Sequence, residues 1–213
     1  MPTAFCYDGG IGPTGGGTCK SDRPGDWFAA ALYSDDFGRS FAVSNKEEGG
    51  NECQAARLSN GTLILNQRSR GPQRQLSYSH NNGVTWTAPR PVALAGTGAA
   101  TCCGSTVFVD GQGTVDEADE GGLLVFSGPD SASRKNMSIY TSANGGLSWD
   151  WAYQLGDPSL TGAYSSLAVI NVRSMCRPLL LACSNIVRAG RAPTLASRTR
   201  APTVGAGFCS SRR

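Results

Sequence analysis

Charge is scarce in these 213 residues: only 16% are Asp, Glu, Lys or Arg, and there is a single histidine, His80. One histidine and no Cys-x-x-C spacing exclude a zinc-finger ligand set, and no metal or other cofactor is implied. No run approaches the ~18 consecutive apolar residues of a membrane-spanning helix, so no span is expected. No long window repeats apolar residues at helical spacing either. The first residues, Met1 to Phe5, carry neither a charged stretch nor a long apolar core, so no secretory signal is read from the chain as written. The net charge of +3 is also misleading. Eight of the nineteen basic residues are arginines in 172–213, which has no acid, leaving eleven basic against sixteen acidic residues in 1–171. The larger part is thus acidic by five charges, and a nucleic-acid surface is not expected.

What the chain has instead is glycine, 28 of them, and short apolar runs bounded by Gly, Asn, Asp and Ser. That texture predicts an all-β protein with many turns. The length suits one or two domains able to bury about 70% of their unfolded surface. Eight cysteines, at 6, 19, 53, 102, 103, 176, 183 and 209, allow pairs such as Cys6 with Cys19. With the sequons Asn60-Gly61-Thr62 and Asn136-Met137-Ser138 they are compatible with an oxidising compartment without establishing one.

Three segments share one template. They are Ser34-Asp35-Asp36-Phe37-Gly38-Arg39-Ser40-Phe41, Ser79-His80-Asn81-Asn82-Gly83-Val84-Thr85-Trp86 and Ser142-Ala143-Asn144-Gly145-Gly146-Leu147-Ser148-Trp149. Each reads Ser-x-(Asp/Asn)-x-Gly-x-(Ser/Thr)-aromatic after an apolar run. As a hairpin turn the pattern is sensible: Asp or Asn caps, Gly takes a positive φ, the hydroxyl bonds locally and the aromatic plugs the core between sheets. Spacings of 45 and 63 residues suit one four-stranded blade per repeat, the second enlarged by an insertion around Gly111 to Gly122.

The template resembles the Asp-box of sialidases and related β-propellers, a structural motif that argues fold rather than function. Between the boxes the likeness narrows to exo-α-sialidases, the neuraminidases, of the lysosomal and bacterial type. Asn51-Glu52-Cys53-Gln54, then Leu58 to Arg68, resembles that family's Glu and Arg strands. Ser127-Gly128-Pro129 with Arg134-Lys135-Asn136-Met137-Ser138-Ile139 resembles the strand bringing a second substrate-binding Arg, and Gly162-Ala163-Tyr164-Ser165-Ser166-Leu167 the segment of the nucleophilic Tyr.

The resemblance implies Tyr164 as nucleophile, Glu52 as its base, and Arg68 and Arg134 as clamps on the sialic acid carboxylate. The chemistry is coherent. Guanidinium forks suit a carboxylate, a neutral phenol is not repelled by the substrate's own charge, and a phenol with an ordinary pKa near 10 needs a base. On residue type alone the alternatives stay open: Glu52 as a rim acid, Arg68 with Arg70 and Arg74 as a solvated basic loop, Arg134 beside Lys135 at the surface, and Tyr164 as a core residue.

The expected fold is therefore all-β: a partial six-bladed propeller of about three blades over 1–171, with an irregular Arg-rich tail over 172–213. Leu179-Leu180-Leu181 is the one short strand expected in the tail. The family's first Arg and its acid/base Asp have no counterpart here, so the isolated chain is expected to be an inactive fragment. Implied partners are sialylated glycans, and the implied compartment is lysosomal or secreted. The rival reading is a non-catalytic Asp-box propeller serving as a glycan-binding or receptor module.

Overall fold

A computed structural model describes residues 2–6, 27–45, 47–69, 71–94, 104–110, 122–170 and 179–187, of which 2–6, 27, 47–48 and 179–187 are placed as backbone. The described residues are all-β, with no helix long and apolar enough to cross a membrane. The strands are β1 (Pro2–Cys6), β2 (Trp27–Tyr33), β3 (Ala42–Val43), β4 (Glu47–Glu48), β5 (Gly50–Arg57), β6 (Leu63–Ser69) and β7 (Arg74–Ser79). They continue with β8 (Arg90–Val92), β9 (Ser105–Val109), β10 (Leu123–Pro129), β11 (Met137–Ser142), β12 (Asp150–Gln154), β13 (Thr161–Ile170) and β14 (Leu179–Val187).

Two sheets are complete four-stranded antiparallel meanders, β5-β6-β7-β8 and β9-β10-β11-β12. Before them lies β1-β2-β3, with β4 also on β2; after them comes the pair β13-β14. The leading strands β1, β5, β9 and β13 contact one another in succession, the arrangement of blades side by side around an axis. This is the expected partial propeller. The strand foreseen at Leu179–Leu181 is longer, running to Val187 along β13.

Sheet-on-sheet packing explains the burial. The middle strands are covered on both faces: in β6, Ile64 to Gln67 are buried, and in β10, Leu124 to Pro129. The fourth strand β12 faces solvent along most of its length. Among the described residues the core is a series of three interfaces. Ala29 and Ala31 of β2 meet Leu65 and Trp86 at the first. Ile64, Leu76 and Val92 meet Leu124, Phe126, Tyr140 and Trp149 at the second. Val125, Met137 and Ile139 meet Leu167 at the third.

The boxes close the turns β2–β3, β7–β8 and β11–β12, and they are built alike. In the third, Ser142 Oγ donates to Asn144 Oδ1 (3.0 Å) and accepts from Gly146 N (2.9 Å), while Ser148 N donates to Asn144 Oδ1 (3.0 Å). The second repeats these bonds through Ser79, Asn81, Gly83 and Thr85. The first repeats them through Ser34, Asp36, Gly38 and Ser40. Its Asp36 carboxyl is held at about 2, below the usual 3.8, chiefly by hydrogen bonds from the Ser40 hydroxyl and amide and then from Ser34.

One expectation fails. Trp86 and Trp149 plug the core, each donating its indole N–H to the box glycine's carbonyl, Gly83 O at 3.1 Å and Gly146 O at 3.0 Å. Phe41 does not: it is 57% exposed. A phenyl ring has no N–H for that bond. Moreover, Trp149 seats on Ile64 and Leu76 of the preceding sheet and Trp86 on Ala29 and Ala31, a seat that Phe41 does not have among the described residues.

Arg74 rules itself out of one open alternative. Rather than joining a solvated basic loop, it is almost wholly buried on β7, its Nε donating to Asn66 Oδ1 (2.6 Å) and its guanidinium lying 4.9 Å from the Phe126 ring centre. Asn66 Nδ2 donates on to Thr106 Oγ1 (3.0 Å), and Thr106 N to Gln54 Oε1 (2.7 Å), so a polar chain stitches the two complete sheets together. Arg70, Cys19, and the insertion 111–121 lie outside the described residues.

Candidate active site

At the end of the sheets opposite the boxes, four side chains from three sheets converge. Glu52 stands near the start of β5 and Arg68 near the end of β6, which are antiparallel neighbours. The pairing of β5 skips between Gly50 and Cys53, so Glu52 lies on an irregular stretch rather than in the ladder. Arg134 lies in the β10–β11 loop, not in a strand, and Tyr164 is on β13.

Glu52 is the hub. Its Oε2 accepts from Arg68 Nη1 at 2.9 Å, and its Oε1 accepts from the Tyr164 hydroxyl at 3.2 Å. Arg134 lies over the Tyr164 ring, its guanidinium carbon 5.9 Å from the ring centre. The glutamate and Arg68 side chains are about a quarter exposed and Tyr164 is 43% exposed, so the cluster is open to solvent yet its groups are mutually fixed. The Glu52–Arg68 pair alone would stabilise the fold by only about 0–1 kcal/mol.

The backbone explains how a bulky Tyr comes to stand there. In the β13–β14 ladder Ala163 pairs with Asn185 and Ser165 with Ser184, so Tyr164 is bulged out of the register. Its φ is 47°, left-handed, which costs an L-residue about 1–2 kcal/mol and calls for outside support. Ser165 Oγ donates to the Ser127 carbonyl (2.8 Å) and accepts from Ser127 Oγ (2.7 Å), and Leu167 N donates to Ser105 Oγ (2.9 Å). Both anchoring serines, 105 and 127, are buried in the β9–β12 sheet. The loop 130–136 joins from the other side through Gly162 N, which donates to Arg134 O at 2.7 Å.

Electrostatics keep the phenol protonated. The Glu52 carboxylate, helped by partial burial and by the hydrogen bond between them, holds Tyr164 above the usual tyrosine range, while Arg134 and Arg68 pull the other way. The arrangement can therefore do one thing plainly: it sets the phenol proton beside an Arg-anchored carboxylate, with the Arg134 guanidinium over the same ring. Among the described residues no group of three or more His, Cys, Asp or Glu is placed to hold a metal.

All four residues singled out by the sequence motifs are thus brought together. The motifs gave no sign of the bulge at Tyr164 or the Ser127–Ser165 lock. The lock joins residues 38 apart in sequence, and the bulge depends on how β13 pairs with β14.

The BNR repeat-like domain model matches residues 5–172. The chain belongs to that family. The BNR repeat-like fold of this chain is that of the sialidases. It is similar to a Hadza microbial sialidase, with TM-score 0.57, 26% identity, and coverage of 73% of this chain and 29% of that one. It is similar also to Trypanosoma rangeli sialidase in complex with 2,3-difluorosialic acid as a covalent intermediate, with TM-score 0.60, 19% identity, and coverage of 76% and 25%. A third is the NanB sialidase of Streptococcus pneumoniae, with TM-score 0.53, 19% identity, and coverage of 66% and 22%. The chain spans less than a third of the length of each of these three. Among curated proteins, none matches the sequence.

Proposed function

We propose that this BNR repeat-like chain carries part of an exo-α-sialidase centre, acting on terminal α-linked sialic acid. Tyr164 is the nucleophile. Its phenol oxygen bonds to the anomeric carbon as the bond from that carbon to the leaving oxygen breaks, and the phenol proton passes to Glu52. Water then displaces the tyrosine, so configuration is retained. Arg68 and Arg134 hold the substrate carboxylate. The observation that carries the reading is the Glu52 carboxylate shared between the Tyr164 hydroxyl and Arg68.

Natural leaving groups also need a proton, for which this cluster assigns no donor. Turnover therefore belongs to a larger assembly than this chain, and useful hydrolysis by the chain alone is not expected.

Trapping the first step tests the reading without that donor. 2,3-Difluorosialic acid loses fluoride, which leaves unprotonated, so the chain should acquire a sialosyl adduct on the peptide bearing Tyr164, seen by mass spectrometry. Tyr164→Phe should show none. An adduct that persists in Tyr164→Phe, or no adduct in the parent chain, refutes the nucleophile assignment. Reversible analogue binding without an adduct would instead favour a glycan-binding module.

A further inference from the structure

The loop that carries Arg134 has a support of its own. Residues 130–136 are closed at the neck by Asp130 N donating to Asn136 O (2.9 Å) and, between side chains, Asn136 Nδ2 donating to Asp130 Oδ2 (3.3 Å). Inside the loop, Ser133 N and Lys135 N both donate to Ser131 Oγ at 3.2 Å, and Arg134 N donates to Ser131 O at 3.3 Å. Two residues in this short span, Arg134 at φ 54° and Asn136 at φ 55°, are left-handed without being glycine. Such conformations persist only where the surroundings over-determine them.

Those surroundings continue downward. Asp130 Oδ1, Asn136 Oδ1 and the Tyr140 hydroxyl are all shut off from water, and none has a partner of full hydrogen-bond geometry. Tyr140 is wholly buried, wedged beside Phe126 with ring centres 6.5 Å apart, so its hydroxyl cannot turn away. That hydroxyl faces Asp130: burial first, then the Asp130 carboxylate, raise its pKa. The loop's outer side is tied to β13 through Gly162 N to Arg134 O and the bridge between Lys135 and Thr161, and to the turn before β13 through Asn136 N donating to Pro158 O at 3.2 Å.

Resting on the reading of Tyr164 and Arg134 given above, we propose that Asp130 is a positioning residue for this centre. Held by Asn136 above the buried Tyr140 hydroxyl, it fixes the left-handed loop. Through that loop it aims the Arg134 guanidinium and, by the Gly162 amide, sets the bulge that presents Tyr164. Its action is transmitted; Asp130 itself touches neither substrate nor the reacting atoms. A loop that merely needed closing would tolerate any residue here, because the neck's backbone bond does not involve the side chain.

The test compares Asp130→Ala, Asp130→Asn and Asn136→Ala in the full 213-residue chain by two readouts. Asparagine at 130 keeps an oxygen for Asn136 Nδ2, so it should behave like the parent. The alanine variants should speed amide hydrogen exchange at Gly162 roughly tenfold or more, the scale of one hydrogen bond to a charged group. They should also raise the 2,3-difluorosialic acid concentration for half-maximal labelling by a similar factor, more than they lower the maximal labelling rate, because the anion clamp is what loosens. Parent-like exchange at Gly162 in Asp130→Ala overturns the proposal, as does an unchanged half-maximal concentration. If the parent chain takes no label, the Tyr164 reading fails and the exchange measurement alone decides the role of Asp130.

Discussion

The three boxes offer an internal controlled experiment on the same template position. Trp149 is 6% exposed, meets Phe126 edge-on at 6.2 Å between ring centres, and closes the box through its indole N–H at 3.0 Å from Gly146 O. Trp149→Ala removes a buried aromatic from a two-sided interface and should cost about 3–5 kcal/mol. Trp149→Phe keeps most of the ring but strands the Gly146 carbonyl, so about 1–2 kcal/mol is expected. Phe41 occupies the corresponding place in the first box while 57% exposed, and Phe41→Ala should change stability by about 0.5 kcal/mol or less. Urea unfolding followed by fluorescence, with shared slopes, reads these differences as shifts in midpoint. Against a total of about 5–15 kcal/mol for a folded domain, that loss is a large fraction of the stability. If Phe41→Ala destabilised as much as Trp149→Ala, the argument that a box aromatic contributes only through a seat on the preceding sheet would be wrong.

Three further outcomes follow from the geometry. Glu52→Gln should slow covalent labelling of Tyr164 about 10²–10⁴-fold through loss of the base, in time-resolved mass spectrometry. It should also lower the Tyr164 pKa, since the largest raising influence goes while Arg134 and Arg68 remain; a titration by tyrosine-selective NMR that shows no fall would contradict this. Asp36, ionised down to about 2, strengthens the first box above its ordinary pKa of 3.8, and that contribution drains away as pH falls through the interval between them. The Gly38 and Ser40 amides should therefore lose exchange protection in acid, while Gly83, Thr85, Gly146 and Ser148, bonded through neutral Asn81 and Asn144, keep theirs. Finally, Gly146→Ala should cost about 1–3 kcal/mol: φ is 93°, and the new methyl would stand 2.6 Å from Leu76 Cδ1, which is buried and cannot retreat. Gly61→Ala, with φ 86° but only Arg57 Nη2 at 3.8 Å, should cost less on the same midpoint scale.

Much of this protein is written in short-range pattern. A turn that needs a capping Asp or Asn, a left-handed Gly and a hydroxyl four residues after its cap is a local object, so three copies announce three hairpins and their spacing announces the sheets. Glu52 and Arg68 were legible through the family resemblance of their motifs, which lie on the adjacent strands β5 and β6. The Phe41 expectation failed because the seat of a box aromatic lies on the preceding sheet, about which the eight-residue template says nothing. The solvated-loop alternative stayed open for Arg74 because a charged residue among polar neighbours gives no local sign that Asn66 and the Phe126 face will enclose it.

The sequence by itself therefore determined the fold class and the repeat, while Glu52, Arg68, Arg134 and Tyr164 were singled out only through a family resemblance carried by their motifs. The tertiary structure decided how they meet. Tyr164 and Glu52 are 112 residues apart, and their 3.2 Å contact exists only because sheets pack side by side about one axis. The bulge at Tyr164 and the left-handed turn at Arg134 are likewise decisions of packing. Each is unfavourable locally, and each is held by bonds from another sheet, the Tyr164 bulge by Ser127 and Ser105 and the Arg134 turn by the Gly162 amide. Local sequence can state a preference; only partners brought from far along the chain can overrule it.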